Sequence, residues 1–188
     1  MGKLVVTEFV TLDGVFQDPG GTGEFDRGGW AFQFDQGDEG AKFKFDELLA
    51  SDAQLLGRVT YEGFAKAWPT MEGTGEFGEK MNGMPKFVVS STLRDPAWNN
   101  TSVLTGHLAA DVGALKERFD GDILVAGSAH LARALFADDL VDELHLVVYP
   151  VILGAGKRLF ADGAELPLKL LDARQTGAVA LQVFGRSE

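Results

Sequence analysis

The chain has 188 residues, 45% hydrophobic and 24% charged, which fits one globular domain spanning residues 1–188. Lys and Arg number 17 against 28 Asp and Glu, and the net charge of −11 argues against nucleic-acid and membrane partners. There is no cysteine, which excludes disulfides, thiolate metal sites and thiol nucleophiles.

The N-terminal MGKLVVTEFV is too short and too interrupted for a signal peptide. Its apolar, β-branched residues predict a strand from Lys3 to Thr11, ending in the turn TLDG. A glycine-rich loop then runs from Val15 to about Gly40, long enough to be either a mobile surface insertion or a lid. A helix is expected over 40–51, a buried strand at AQLLG (53–57), and an amphipathic helix over 59–68 stopped by Pro69. A second loop, rich in Gly and Met, is expected from Pro69 to Pro85.

KFVVSS (86–91) and TSVLT (101–105) read as strands, and 108–119 as a helix. DILVAG (122–127) is a strand, followed by a helix over 128–140 with Ser128 as its N-cap. DELHLVVYPVILG (142–154) is one long apolar strand. It holds the longest apolar run, 144–153, far short of the ~20 residues of a membrane span. A cytoplasmic protein is therefore expected. The last two segments pair as an antiparallel hairpin through Thr176-Gly177. Repeated strand–helix alternation predicts an α/β fold with a mostly parallel sheet and an antiparallel edge.

Ligands of open α/β sheets bind at strand carboxyl ends. Three such places carry suggestive residues. At Gly57-Arg58-Val59-Thr60 the glycine permits close approach, the helix start offers free amides, and Arg58 and Thr60 add donors suited to phosphate. Ser90 and Ser91, followed by Thr92, place three hydroxyls after KFVV. Gly127, Ser128 and Ala129 form a glycine turn into a helix. Read singly, each is more simply an ordinary turn or helix cap. Together, at three strand ends, they favour a dinucleotide, whose phosphates and riboses can spread over several turns.

Other chemistries fit poorly. His107, His130 and His145 have no metal-ligand spacing, GxSxG is absent, and GAGKR (154–158) lacks the upstream glycine of a phosphate loop, since residue 151 is valine. Asp13 stands out among the carboxylates because it follows the first strand, beside a glycine.

In order and context, TLDG (11–14), LLGRVTYEGF (55–64), KFVVSSTL (86–93), ILVAGSAHLARALF (123–136) and DELHLVVYPVILGAGKRLF (142–160) resemble the dihydrofolate reductase-like superfamily. The chain is most similar to the RibD C-terminal domain family, the reductase half of the bifunctional deaminase-reductase of riboflavin biosynthesis. The resemblance implies a three-layer dihydrofolate reductase-like fold, bound NADPH and a homodimer. It matches Gly57, Arg58 and Thr60 to the phosphate-binding junction. Ser90 and Ser91 match the turn near the adenosine 2′-phosphate. Gly127, Ser128 and Ala129 match the turn beneath the pyrophosphate and nicotinamide.

The chain also departs from dihydrofolate reductases proper. Ala126-Gly127 stands where they carry Gly-Gly with a cis bond, and Leu131 where a tyrosine is expected. No clear counterpart of the folate-binding acid is present, which disfavours folate. The implied activity is that of an NADPH-dependent oxidoreductase. It would transfer a hydride to a small heterocycle, pterin- or pyrimidine-like, as 5-amino-6-(5-phosphoribosylamino)uracil reductase does. Asp13 is the candidate to orient the substrate or relay a proton, and Trp30 either covers the substrate or plugs the loop. The alternative is a catalytically silent NADPH-binding or regulatory homodimer of the same fold.

Overall fold

The computed structural model describes residues 1–187. Its eight strands are β1 (Leu4–Thr11), β2 (Ser51–Gly57), β3 (Lys86–Val89), β4 (Thr101–Leu104), β5 (Asp122–Ala126), β6 (Glu143–Tyr149), β7 (Leu168–Thr176) and β8 (Val179–Arg186). They follow the sheet order β4-β3-β2-β5-β1-β6-β8-β7. The flanking helices are α1 (Gly37–Ala50), α2 (Arg58–Ala67), α3 (Gly75–Gly83), α4 (Leu108–Arg118) and α5 (Ala129–Ala137). The architecture is the expected α/β fold, mostly parallel with an antiparallel edge. The chain forms two compact units, Met1–Val6 with Lys44–Val141, and Thr7–Phe43 with Asp142–Glu188.

In the first unit β2 pairs in parallel with β3 and with β5, and β3 with β4. All but one residue of β2 is buried, and AQLLG is apolar apart from the buried Gln54. Leu56, Tyr61, Met81, Met84, Val88 and Trp98 share the core here. In the second unit β8 pairs antiparallel with β6 and β7. The hairpin turns at Gly177-Ala178, where Thr176 pairs with Val179 and Gly177 takes φ 56°. The core of this unit gathers around Tyr149, whose ring meets Phe9, Trp30 and Phe34 edge-on at 5.5, 5.2 and 6.2 Å.

Several local expectations are corrected. The loop expected from Pro69 to Pro85 contains α3. Its glycines lower helix propensity, but tertiary burial of Met81 decides the outcome. The 15–40 loop ends earlier, with a short 3-10 helix at Trp30–Gln33 and α1 starting at Gly37. The apolar segment 142–154 stops being a strand at Tyr149, because Pro150 has no N–H to donate. Ser128 does not cap α5 through its side chain. Its backbone is left-handed, at φ 64° and ψ 77°.

Lys86 is fully buried at the start of β3. Its ammonium donates to the carbonyls of Asn82, Met84 and Asn99 at 2.9, 2.8 and 3.1 Å and lies 4.3 Å from the Trp98 ring centroid. It thereby ties the C-terminal end of α3 to the segment before β4.

Among the described residues, no helix is long and apolar enough to cross a membrane, and no group of three metal-ligating side chains comes together.

Candidate functional site

The sheet brings the three predicted turns of the first unit together. Gly57 at the end of β2 is in register with Val89 at the end of β3, and β5 lies on the other side of β2. Gly57–Thr60, Ser90–Thr92 and Gly127–Ala129 thus leave the carboxyl ends of three adjacent parallel strands. The chain steps from β2 outward to β3 and β4, then returns to β5 across β2. That reversal makes the β2/β5 boundary a topological switch point, where open α/β sheets bind ligands.

The first and third turns interlock. A Cβ on Gly57 would lie 2.0 Å from Ser128 Oγ and 2.8 Å from Ser128 Cβ. A Cβ on Gly127 would lie 2.8 Å from Thr60 Oγ1 and 2.9 Å from Thr60 Cγ2. Each glycine therefore admits the hydroxyl residue of the opposite turn. Gly127 has a second reason to be glycine, since its φ is 66°, and Ser128 continues the left-handed path. Leu131 is buried beside this contact. The Ala126–Gly127 peptide is trans.

Charge distinguishes these two helix starts from the rest. Acidic residues occupy the first turn of α1 (Asp38, Glu39), α3 (Glu76) and α4 (Asp111), as the helix dipole favours. Neither α2 nor α5 has one, and neither start has a side-chain cap bond. Their leading amides lack intrahelical acceptors, so two uncompensated positive ends lie side by side. In a chain of net charge −11, that is a local departure from the overall charge, with the donors that an anion would need.

Arg58 opens α2, where a cation has the wrong sign for the dipole. Its Nη1 donates to Glu62 Oε1 and Oε2 at 2.9 and 3.0 Å, and both side chains are about half exposed. Sequence reasoning passed over Glu62, although its i+4 spacing from Arg58 is a visible signal. Ser90 Oγ accepts the amides of Thr92 and Leu93 at 3.1 and 2.9 Å and so holds its turn, while Ser91 is exposed.

The second unit contains the other two predicted residues. Asp13 accepts three bonds: from Thr11 Oγ1 at 2.6 Å and from the amides of Leu153 and Gly154 at 3.2 and 2.8 Å. The Thr11 hydroxyl above all, aided by those amides, lowers its pKa below the ordinary value of 3.8. A carboxylate so held is a poor proton donor near neutrality, and it clamps the 153–154 segment. Asp13→Ala is expected to free that segment, with faster amide exchange at Gly154 and a destabilisation of about 1–2 kcal/mol in urea melts. The Asp13 contribution is present above pH 3.8 and is lost as pH falls through its lower folded value. Trp30 is 1% exposed, and its Nε1 donates to the Gln17 carbonyl at 2.9 Å. It is the loop's hydrophobic plug and has no face left to lay over a substrate.

Comparison with known proteins gives the family and the fold. The uncharacterized protein YyaP of Bacillus subtilis is 28% identical over 185 residues, covering 96% of this chain and 93% of its own. A Shewanella sp. PV-4 protein assigned to riboflavin biosynthesis superposes with TM-score 0.76 at 17% identity, over 99% of each chain. RibD of Acinetobacter baumannii gives TM-score 0.65 at 17% identity, over 100% of this chain and 59% of its own. At these identities the two solved structures establish the fold. The family model for the RibD C-terminal domain matches residues 2–181, and the chain belongs to that family.

Proposed function

We propose that the chain, as a single domain over residues 1–188, is an NADPH-dependent reductase acting on a small pterin- or pyrimidine-like heterocycle. The observation that carries this reading is the pair of interlocked, acid-free helix starts of α2 and α5 at the β2/β5 switch point. That donor set fits a pyrophosphate: the amides at Arg58–Thr60 and Ala129, the hydroxyls of Thr60 and Ser128, and the close backbone approach at Gly57 and Gly127. Arg58, Ser90 and Ser91 stand on the β2 and β3 side of the same sheet edge and suit the adenosine 2′-phosphate. NADPH, when bound, supplies the hydride. The residues of these turns bind and orient it. Asp13 acts as a positioning residue through the 153–154 segment. The riboflavin-pathway names of the Shewanella and Acinetobacter proteins support a heterocyclic substrate. A homodimeric, cytoplasmic enzyme completes the reading.

The test is NADPH titration followed by loss of its absorbance with pterin and pyrimidine substrates. Saturable binding and substrate-dependent oxidation are expected, and a failure of NADPH to raise the melting temperature would overturn the proposal. Arg58→Ala should weaken NADPH by about tenfold or more, the loss of a charged hydrogen bond, with little change for NADH. Equal loss for both cofactors would place the arginine elsewhere.

A second reading rests on the second unit. Asp13 is engaged as an acceptor and Trp30 is buried, so neither residue expected to serve the substrate is free. Binding of NADPH without consumption would favour a catalytically silent NADPH-binding or regulatory homodimer.

A further inference from the structure

We infer that Glu62 is a resident competitor for Arg58 and sets how strongly the site favours a phosphorylated nucleotide. This inference rests on the proposed NADPH site and concerns its selectivity. Both carboxylate oxygens of Glu62 accept from one guanidinium nitrogen, Nη1, at 2.9 and 3.0 Å. The pair adds little to the helix. An arginine at the first position with its acid four residues later is the unfavourable order for an i,i+4 pair, and the cation opposes the dipole. The contact holds the Arg58 guanidinium on Glu62, about one turn further along α2. A phosphate monoester arriving at Arg58 must displace the carboxylate or share the guanidinium with it. In the second case it stays close to the Glu62 charge.

The effect is confined to ligands that use Arg58. Removing the charge frees the guanidinium for the 2′-phosphate, and a nucleotide without that group gains nothing. Exposed charge pairs are weak, so the gain is about three- to fivefold in affinity.

The experiment measures NADPH and NADH affinities by calorimetric titration for wild type, Glu62→Gln, Arg58→Ala and the double variant. Expected results are tighter NADPH binding by Glu62→Gln, unchanged NADH binding, and a double variant that behaves as Arg58→Ala. Unchanged or weaker NADPH binding by Glu62→Gln would overturn the inference while leaving the cofactor site intact. So would an equal gain for both nucleotides. No saturable NADPH binding by wild type would overturn the reductase reading and this inference with it.

Discussion

Lys86→Met is expected to lower stability by about 2–4 kcal/mol, because three carbonyls lose their donor at once. At this chain length that is a fall of roughly 6–12 °C in melting temperature. Methionine conserves much of the apolar stem, so the loss reports on the ammonium and its contact with Trp98. The pH dependence gives a second signature. Burial lowers the Lys86 pKa from 10.5 to about 8. Below pH 8 the lysine is protonated in the folded and unfolded states, and folding bears the full cost of burying the charge. Between about pH 8 and 10.5 the unfolded chain holds more protons, so this contribution raises stability as pH rises. Urea melts across that window should show the wild type gaining on Lys86→Met. A constant gap would mean that the folded lysine keeps its ordinary pKa.

Gly57→Ala is expected to cost about 1–3 kcal/mol by overpacking, and to reduce NADPH affinity by more than about tenfold as the two helix starts are pushed apart. The backbone at Gly57 is extended, φ −80° and ψ 157°, so the alanine itself is not strained. The whole penalty comes from Ser128, whose Cβ would stand 2.8 Å away and cannot rotate clear. Ser128→Gly removes that obstacle and also relieves a left-handed non-glycine residue, worth about 1 kcal/mol. The double variant should therefore recover the stability lost in Gly57→Ala, as thermal melts would show. Additive losses would contradict the interlock.

Much of the first unit was legible because its strands are buried on both faces. AQLLG, KFVV and DILVA appear as short, mostly apolar runs that end at or just before glycine or serine, and each lies in a strand. Helix α3 was not legible, since Gly75, Gly78 and Gly83 resemble a loop and only the burial of Met81 reveals a packed face. Ser128 shows the limit of local rules. A serine before a helix is the usual cap, yet here the approach of Gly57 and the left-handed backbone give its side chain a different neighbour. Trp30 shows the same limit in the second unit. A tryptophan in a long glycine-rich loop is equally cover or plug by sequence, and its packing against Tyr149 decides for plug.

The sequence by itself determined three strand ends with the residue types of an anion site, two of them running into helices, because hydrophobic runs and polar or glycine turns are local properties of the chain. Only the tertiary structure decided that these strand ends are neighbours. Placing β5 beside β2 is a long-range choice of strand order, and it sets the α2 and α5 starts against each other.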